Sequence, residues 1–191
     1  PPINIVHERR RQPGRRTARE QFCARSTPNE AVASNAALED GPEGEYLVDR
    51  LGREAVDLID DFERESPESP WFVVYAPYAV HTPIQAPDDA VAEIRAREPG
   101  LSERAARYAV LVETVDSAIG QIVDALDLRE TFVFVMSDNG GLQPITDMSP
   151  WRGGKGMLYE GGLRTPLYVD GPGIVPAEVD VPVQLFDLFP T

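Results

Sequence analysis

The chain of 191 residues carries 18 lysines and arginines against 32 aspartates and glutamates, a net charge of −14. That length suffices for one domain with a sizeable core and is short for two. So negative a field argues against nucleic acid or an anionic membrane as partner. No apolar run nears the ~20 residues of a membrane span, and the lone Cys23 excludes an intramolecular disulfide or a thiolate metal cluster.

Residues 1–44 hold 7 arginines and 6 acids with no sustained apolar period. With little to bury, such a stretch is expected to be a disordered leader. Glu8, Arg9, Arg10 and Arg11 are followed by no apolar h-region. No secretory signal is therefore read, and a cytoplasmic location is expected by default. Residues 45–191 carry 11 basic against 26 acidic side chains and show regular patterning, so order is expected from Glu45.

Leu47, Leu51, Ala55, Leu58 and Phe62 recur at steps of three and four, which predicts a one-faced helix ending near Ser66 and Pro67. Trp71 to Ala76 is a short apolar run between prolines and predicts a buried strand. A loop over 77–87 with three prolines leads to a helix over about 88–98, closed by Pro99 and Gly100. Ser102 is placed to cap a long helix whose stripe is Ala105, Tyr108, Val112, Val115, Ile119, Ile122 and Leu126. Thr131 to Met136 predicts a second buried strand. A Gly-rich loop runs to Arg164, then a strand over Leu167–Val169, a Gly171–Pro172–Gly173 turn, and helix-like residues from Leu185. This order predicts α/β architecture, a mostly parallel sheet flanked by helices. In such sheets ligands sit beyond the carboxyl ends of the strands, where loops 77–87 and 138–164 would open together.

Two features in those loops suggest chemistry. Asp138 and Asn139 leave a strand as adjacent hard-oxygen donors, suited to Ca2+ or Mg2+ rather than Zn2+, although Asn-Gly is also a favoured turn. Lys155 is the only lysine beside 17 arginines and lies between Gly154 and Gly156. An ammonium is a compact point charge that fits beside a crowded oxyanion where a guanidinium fork does not. The spacing is not that of a P-loop. His81, on the Pro-stiffened loop, is a candidate to hydrogen-bond an oxyanion or protonate a leaving oxygen. Glu113 and Asp116 are read as surface charge, and Glu160 to Pro166 as structural.

Taken in order, Trp71–Ala76 with His81-Thr82-Pro83, Gln85-Ala86-Pro87, Tyr108–Asp116, Val135–Gly141 and Arg152–Pro166 resemble the type I sulfatases of the alkaline phosphatase superfamily. The resemblance covers about 45–191 and implies a partial, incomplete catalytic domain of that fold. It implies sulfuric ester hydrolysis of the arylsulfatase kind, on a small-molecule sulfate ester or a glycan. Asp138 and Asn139 would bind a divalent ion, Ca2+ with Mg2+ as alternative; Lys155 and His81 would be the catalytic and substrate-binding pair at the sulfate. The family's nucleophile is a formylglycine made from Cys-x-Pro-Ser-Arg or Cys-x-Ala-x-Arg. Cys23-Ala24-Arg25-Ser26-Thr27 does not match that pattern, so the chain is expected to carry about half of a site and to be inactive alone. A phosphonate or phosphate ester hydrolase of the same superfamily, or a non-catalytic remnant or interaction domain, are the alternatives. Nothing in the patterning sets an oligomeric state.

Overall fold

The computed structural model describes residues 44–188; the leader expected over 1–44, and Cys23 within it, lie almost wholly outside the described residues. Three helices form the core. Helix α1 spans Leu47–Glu65, α2 Asp88–Arg97 and α3 Glu103–Asp124. Helix α3 packs against both others. Its start is fixed by Ser102, whose Oγ accepts the Ala105 N–H at 3.2 Å, as its position predicted.

The buried faces are turned from those the periodicity suggested. On α1, Leu51, Ala55 and Phe62 are buried as expected, joined by Val48 and Ile59, whereas Leu47 is 47% exposed. On α3 the buried residues are Ala106, Val110, Leu111 and Ala118, and Val112 is 46% exposed. Apolar residues lie on several faces of these helices, so the neighbours choose which is covered. On α3, which is packed by a helix on either side, burial splits between two faces. One meets α2, where Val91 and Ile94 join Ala106 and Val110. The other meets α1 at a close crossing, where a Cβ built on Gly52 would lie 3.0 Å from the Ala118 Cβ. Each large apolar side chain buried here contributes about 1.5–3 kcal/mol.

Polar contacts fasten the loop over 77–87 to this layer. The Tyr46 hydroxyl donates to the Gln85 carbonyl at 3.0 Å, and Arg107 Nη1 to the Ala86 carbonyl at 3.0 Å. Arg107 also meets Asp88 at 2.7 Å and Glu103 at 3.0 Å, and Arg97 meets Glu113 at 2.6 Å. Such exposed pairs contribute roughly 0–1 kcal/mol each, so their effect is mainly on geometry. No helix among the described residues is long and apolar enough to cross a membrane.

The sheet departs from expectation. Strand β1 (Val133–Met136) and strand β2 (Leu167–Asp170) form a two-stranded antiparallel ladder, Val133 opposite Asp170 and Met136 opposite Leu167. A parallel pair needs a crossover, usually a helix, to carry the chain back. Between β1 and β2 the only helix among the described residues is the four-residue α4 (Glu160–Leu163), so the chain returns by a loop and the second strand reverses. Trp71–Ala76 is not a strand of this ladder: it shows a single bridge residue, Val73. Before β1, Asp127 and Arg129 close the turn, and the guanidinium holds the Asp127 carboxyl down at about 2. After β2, Gly171 and Gly173 adopt positive φ, and Leu185–Leu188 form a 3-10 turn where a helix start was expected.

The crossing of α1 and α3 sets an expected outcome in urea denaturation. Gly52→Val forces the helices apart and lowers stability by about 1–3 kcal/mol. Gly120→Ala on the same α3, where an added Cβ meets nothing within 4 Å, raises it by about 0.5–1 kcal/mol. Equal effects at the two glycines would show that the crossing is not tight.

Candidate functional site

Strand β1 delivers the chain into Ser137, Asp138 and Asn139, and a set of backbone hydrogen bonds then fixes the loop beyond them. The Ser137 hydroxyl donates to the Asn139 carbonyl at 2.9 Å. The Gly140 N–H donates to the Gly162 carbonyl at 3.0 Å, and the Lys155 N–H to the Gly141 carbonyl at 2.9 Å. The Gly161 N–H donates to the Arg152 carbonyl at 2.9 Å. Three stretches, 138–141, 152–156 and α4, thus touch backbone to backbone. Glycine permits this. A Cβ on Gly154 would lie 2.7 Å from the Gly141 carbonyl oxygen, and one on Gly140 would collide with the Gly161 carbonyl. Gly153 and Gly156 supply the turns, at φ of 78° and 86°.

The crossing brings Asp138, Asn139 and Lys155 onto adjoining stretches of loop. Asp138 is exposed, while Asn139 and Lys155 are half-buried. Among the described residues, the Asp138 carboxylate, the Asn139 amide and the Lys155 ammonium make no hydrogen bond or ion pair. Two oxygen donors and a cation therefore stay available to a ligand. The donor set fits a hard divalent ion in kind but supplies a fraction of the six to eight oxygens that Ca2+ takes. No group of three or more His, Cys, Asp or Glu able to hold a metal occurs among the described residues.

His81 sits on the anchored loop over 77–87. Its backbone N–H donates to the Tyr78 carbonyl at 3.0 Å, and its ring lies 5.3 Å from the Tyr78 ring, centroid to centroid. The ring Nδ1 lies 2.9 Å from the Thr82 carbonyl, which also accepts from the Tyr78 hydroxyl at 2.5 Å. A carbonyl can only accept, so the bond to Thr82 calls for the proton on Nδ1, and Nε2 makes no hydrogen bond among the described residues. No hydrogen bond or ion pair among the described residues joins this loop to the Lys155 crossing. Among the described residues, 71–76 is not a strand of the β1–β2 ladder, so His81 and Asp138 do not leave a common edge of that sheet.

Sequence reasoning passed over the residues around Lys155. The Arg152 guanidinium stands 4.1 Å over the Tyr159 ring, and that of Arg164 stands 5.0 Å over Trp151. An arginine and an aromatic flanking a glycine pair were the available signal. The open apolar groove of about 400 Å3 bordered by Val123, Leu128, Val133, Val135 and Ile174 includes none of the candidate residues.

Two measurements check this geometry. Gly140→Ala is expected to lower stability by about 1–3 kcal/mol and to speed hydrogen exchange of the Lys155 N–H; unchanged exchange would refute the crossing. The chain has two histidines, so their nitrogen resonances can be resolved. Neutral His81 is expected as the Nδ1–H tautomer, and an Nε2–H spectrum would refute the Thr82 bond.

Comparison with known proteins places these features in a family. The family model described as "Sulfatase" matches residues 8–191, beginning well before the boundary expected at residue 45. A protein named "Sulfatase" from Formosa agariphila is 35% identical over 163 residues, 76% of this chain and 29% of that protein. "Arylsulfatase H" of Homo sapiens is 32% identical, covering 77% of this chain and 26% of that protein. Among solved structures, that titled "Crystal structure of Ps i-CgsB in complex with k-i-k-neocarrahexaose" is 31% identical with a TM-score of 0.62, covering 78% of this chain and 36% of that one. The chain thus spans between a quarter and a third of the length of these curated relatives. With nearly its whole length inside the match, the chain belongs to the sulfatase family.

Proposed function

We propose that the chain carries part of a sulfate-ester hydrolysis site: Asp138, Asn139 and Lys155 on the crossed loops would meet the sulfate, and His81, on a separate loop, would act on the leaving oxygen. The observation that carries the reading is the Lys155 N–H bond to the Gly141 carbonyl, 2.9 Å long. It ties a compact cation to the loop that holds two free oxygen donors. Asp138 and Asn139 would hold a divalent ion, Ca2+ by preference and Mg2+ as the alternative. When bound, that ion would supply Lewis-acid polarisation of a sulfate oxygen.

The chain's own side chains do the rest. The Lys155 ammonium offsets negative charge on the non-bridging sulfate oxygens, a role in which donors aimed at developing charge count most. His81, an exposed residue, acts through Nε2, the ring nitrogen not bound to Thr82. In hydrolysis an oxygen nucleophile bonds to sulfur as the bond between sulfur and the bridging oxygen breaks, and the bridging oxygen leaves as an alcohol on gaining a proton, which Nε2 of the imidazolium can deliver. The Thr82 carbonyl holds the ring through Nδ1, and the Tyr78 hydroxyl donates to that same carbonyl. No described residue is assigned as the nucleophile, and Cys23 lies outside the described residues. A saccharide sulfate is the favoured substrate class, on the likeness to the neighbour solved with k-i-k-neocarrahexaose; a small aryl sulfate is the simpler probe.

Calorimetric titration tests this reading. The chain is expected to bind Ca2+ weakly, at millimolar rather than micromolar concentration, because two residues fill only part of the shell. Asp138→Ala is expected to remove that binding, and Lys155→Ala to weaken phenyl sulfate by about tenfold or more. Binding of ion and ester untouched by both changes would overturn the reading. Aryl-sulfate turnover by the 191-residue chain, purified free of host sulfatase, is expected to be absent. Turnover that persists in Cys23→Ala would reveal another nucleophile in the chain.

A further inference from the structure

Most arginines among the described residues reach a carboxylate: Arg50, Arg53, Arg64, Arg97, Arg107, Arg129 and Arg164 each do so. Arg152 does not, yet it is held. Its guanidinium lies on the Tyr159 ring at 4.1 Å. That ring in turn is seated over Gly153, where a Cβ would come within 3.2 Å of the Tyr159 Cβ and Cδ2. The Arg152 carbonyl is pinned by the Gly161 N–H, and the Lys155 N–H is pinned to Gly141. Both cations therefore rise from one stretch of loop fixed at each end. Three residues span at most about 10 Å.

Residues 148–158 contain these two cations and no acid. The net charge of −14 opposes a polyanion at long range, but charges beyond about 8–10 Å are screened at physiological salt. Of the acids close in sequence, Glu160 faces Arg164 at 3.7 Å, and the Asp147 carboxylate accepts the Ser149 N–H at 2.9 Å. Asp138 is the proposed ion ligand. What is left over is a planar fork, preset for two parallel hydrogen bonds to a carboxylate or sulfate.

Resting on the sulfate reading of Lys155, we infer that Arg152 is a specificity-determining residue: it binds a second anionic group, sulfate or carboxylate, on the same substrate. The substrate class is then a sulfate ester carrying two anionic groups within reach of one loop. A neutral alcohol sulfate would leave Arg152 idle.

Calorimetry in Ca2+ buffer with phenyl sulfate and resorcinol bis-sulfate tests the inference. The bis-sulfate is expected to bind the full chain about tenfold more tightly, beyond the twofold that its two equivalent groups give by statistics. In Arg152→Gln the ratio is expected to fall to that twofold, while Arg152→Lys, which keeps the charge without the fork, gives a value between. Tyr159→Leu is expected to lower the ratio by removing the seat of the guanidinium. Thermal melts of the variants verify that each is folded. A ratio that stays at tenfold in Arg152→Gln, or a native chain that does not distinguish the probes, overturns the role of Arg152. Phenyl sulfate binding unaltered by Lys155→Gln would instead overturn the sulfate reading on which it rests. A native chain that binds neither probe overturns both.

Discussion

Backbone packed directly on backbone governs the region from Asp138 to Leu163. The Gly140–Gly162, Lys155–Gly141 and Gly161–Arg152 hydrogen bonds, each 2.9–3.0 Å, form without side chains between the strands of loop. Any Cβ at Gly140, Gly154, Gly161 or Gly162 would enter a carbonyl group. A crossing of this kind converts a long loop, otherwise a mobile element, into a support that holds the backbone of Lys155 against the stretch bearing Asp138 and Asn139. Catalytic groups need positional tolerance of about half an ångström, and the glycines are how a loop reaches it.

The rest of the described molecule supports this crossing from a distance. The buried apolar side chains among the described residues come from α1, α2 and α3, while β1 and β2 contribute none. Hydrophobic burial therefore stabilises the helical layer, and the Tyr46 and Arg107 bonds pass that order to the loop bearing His81. The site loops depend on hydrogen bonds and steric fit instead. Functional elements commonly fall at the less stable end of a fold, and here the division follows the kind of interaction used.

Charge is arranged with a similar division. Seven described arginines meet carboxylates on an acidic surface, whereas Arg152 and Lys155 stand in a stretch without acids. Screening makes that local balance, rather than the −14 of the whole chain, the field felt within about 8–10 Å of this stretch.

Much of the local architecture was legible in the sequence because it rests on short-range chemistry. The α2 limits, the start of α3 at its Ser102 cap, strand runs within 131–136 and around 167–169, and the turn at Gly171–Gly173 follow from caps, periodicity and turn residues a few positions apart. Asp138, Asn139, Lys155 and His81 stood out as residue types in an ordered pattern, and that pattern led to the sulfatase family. Three things needed the tertiary structure. Periodicity finds an apolar face but not which of two overlapping faces a neighbour covers, so Leu47 and Val112 emerged exposed and Val48, Ile59 and Val110 buried. Strand direction is a property of pairing, and β2 runs antiparallel because a loop rather than a crossover helix returns the chain. The seating of Arg152 on Tyr159 joins residues seven apart through a turn set by Gly153, a contact that a linear pattern of residue types does not encode.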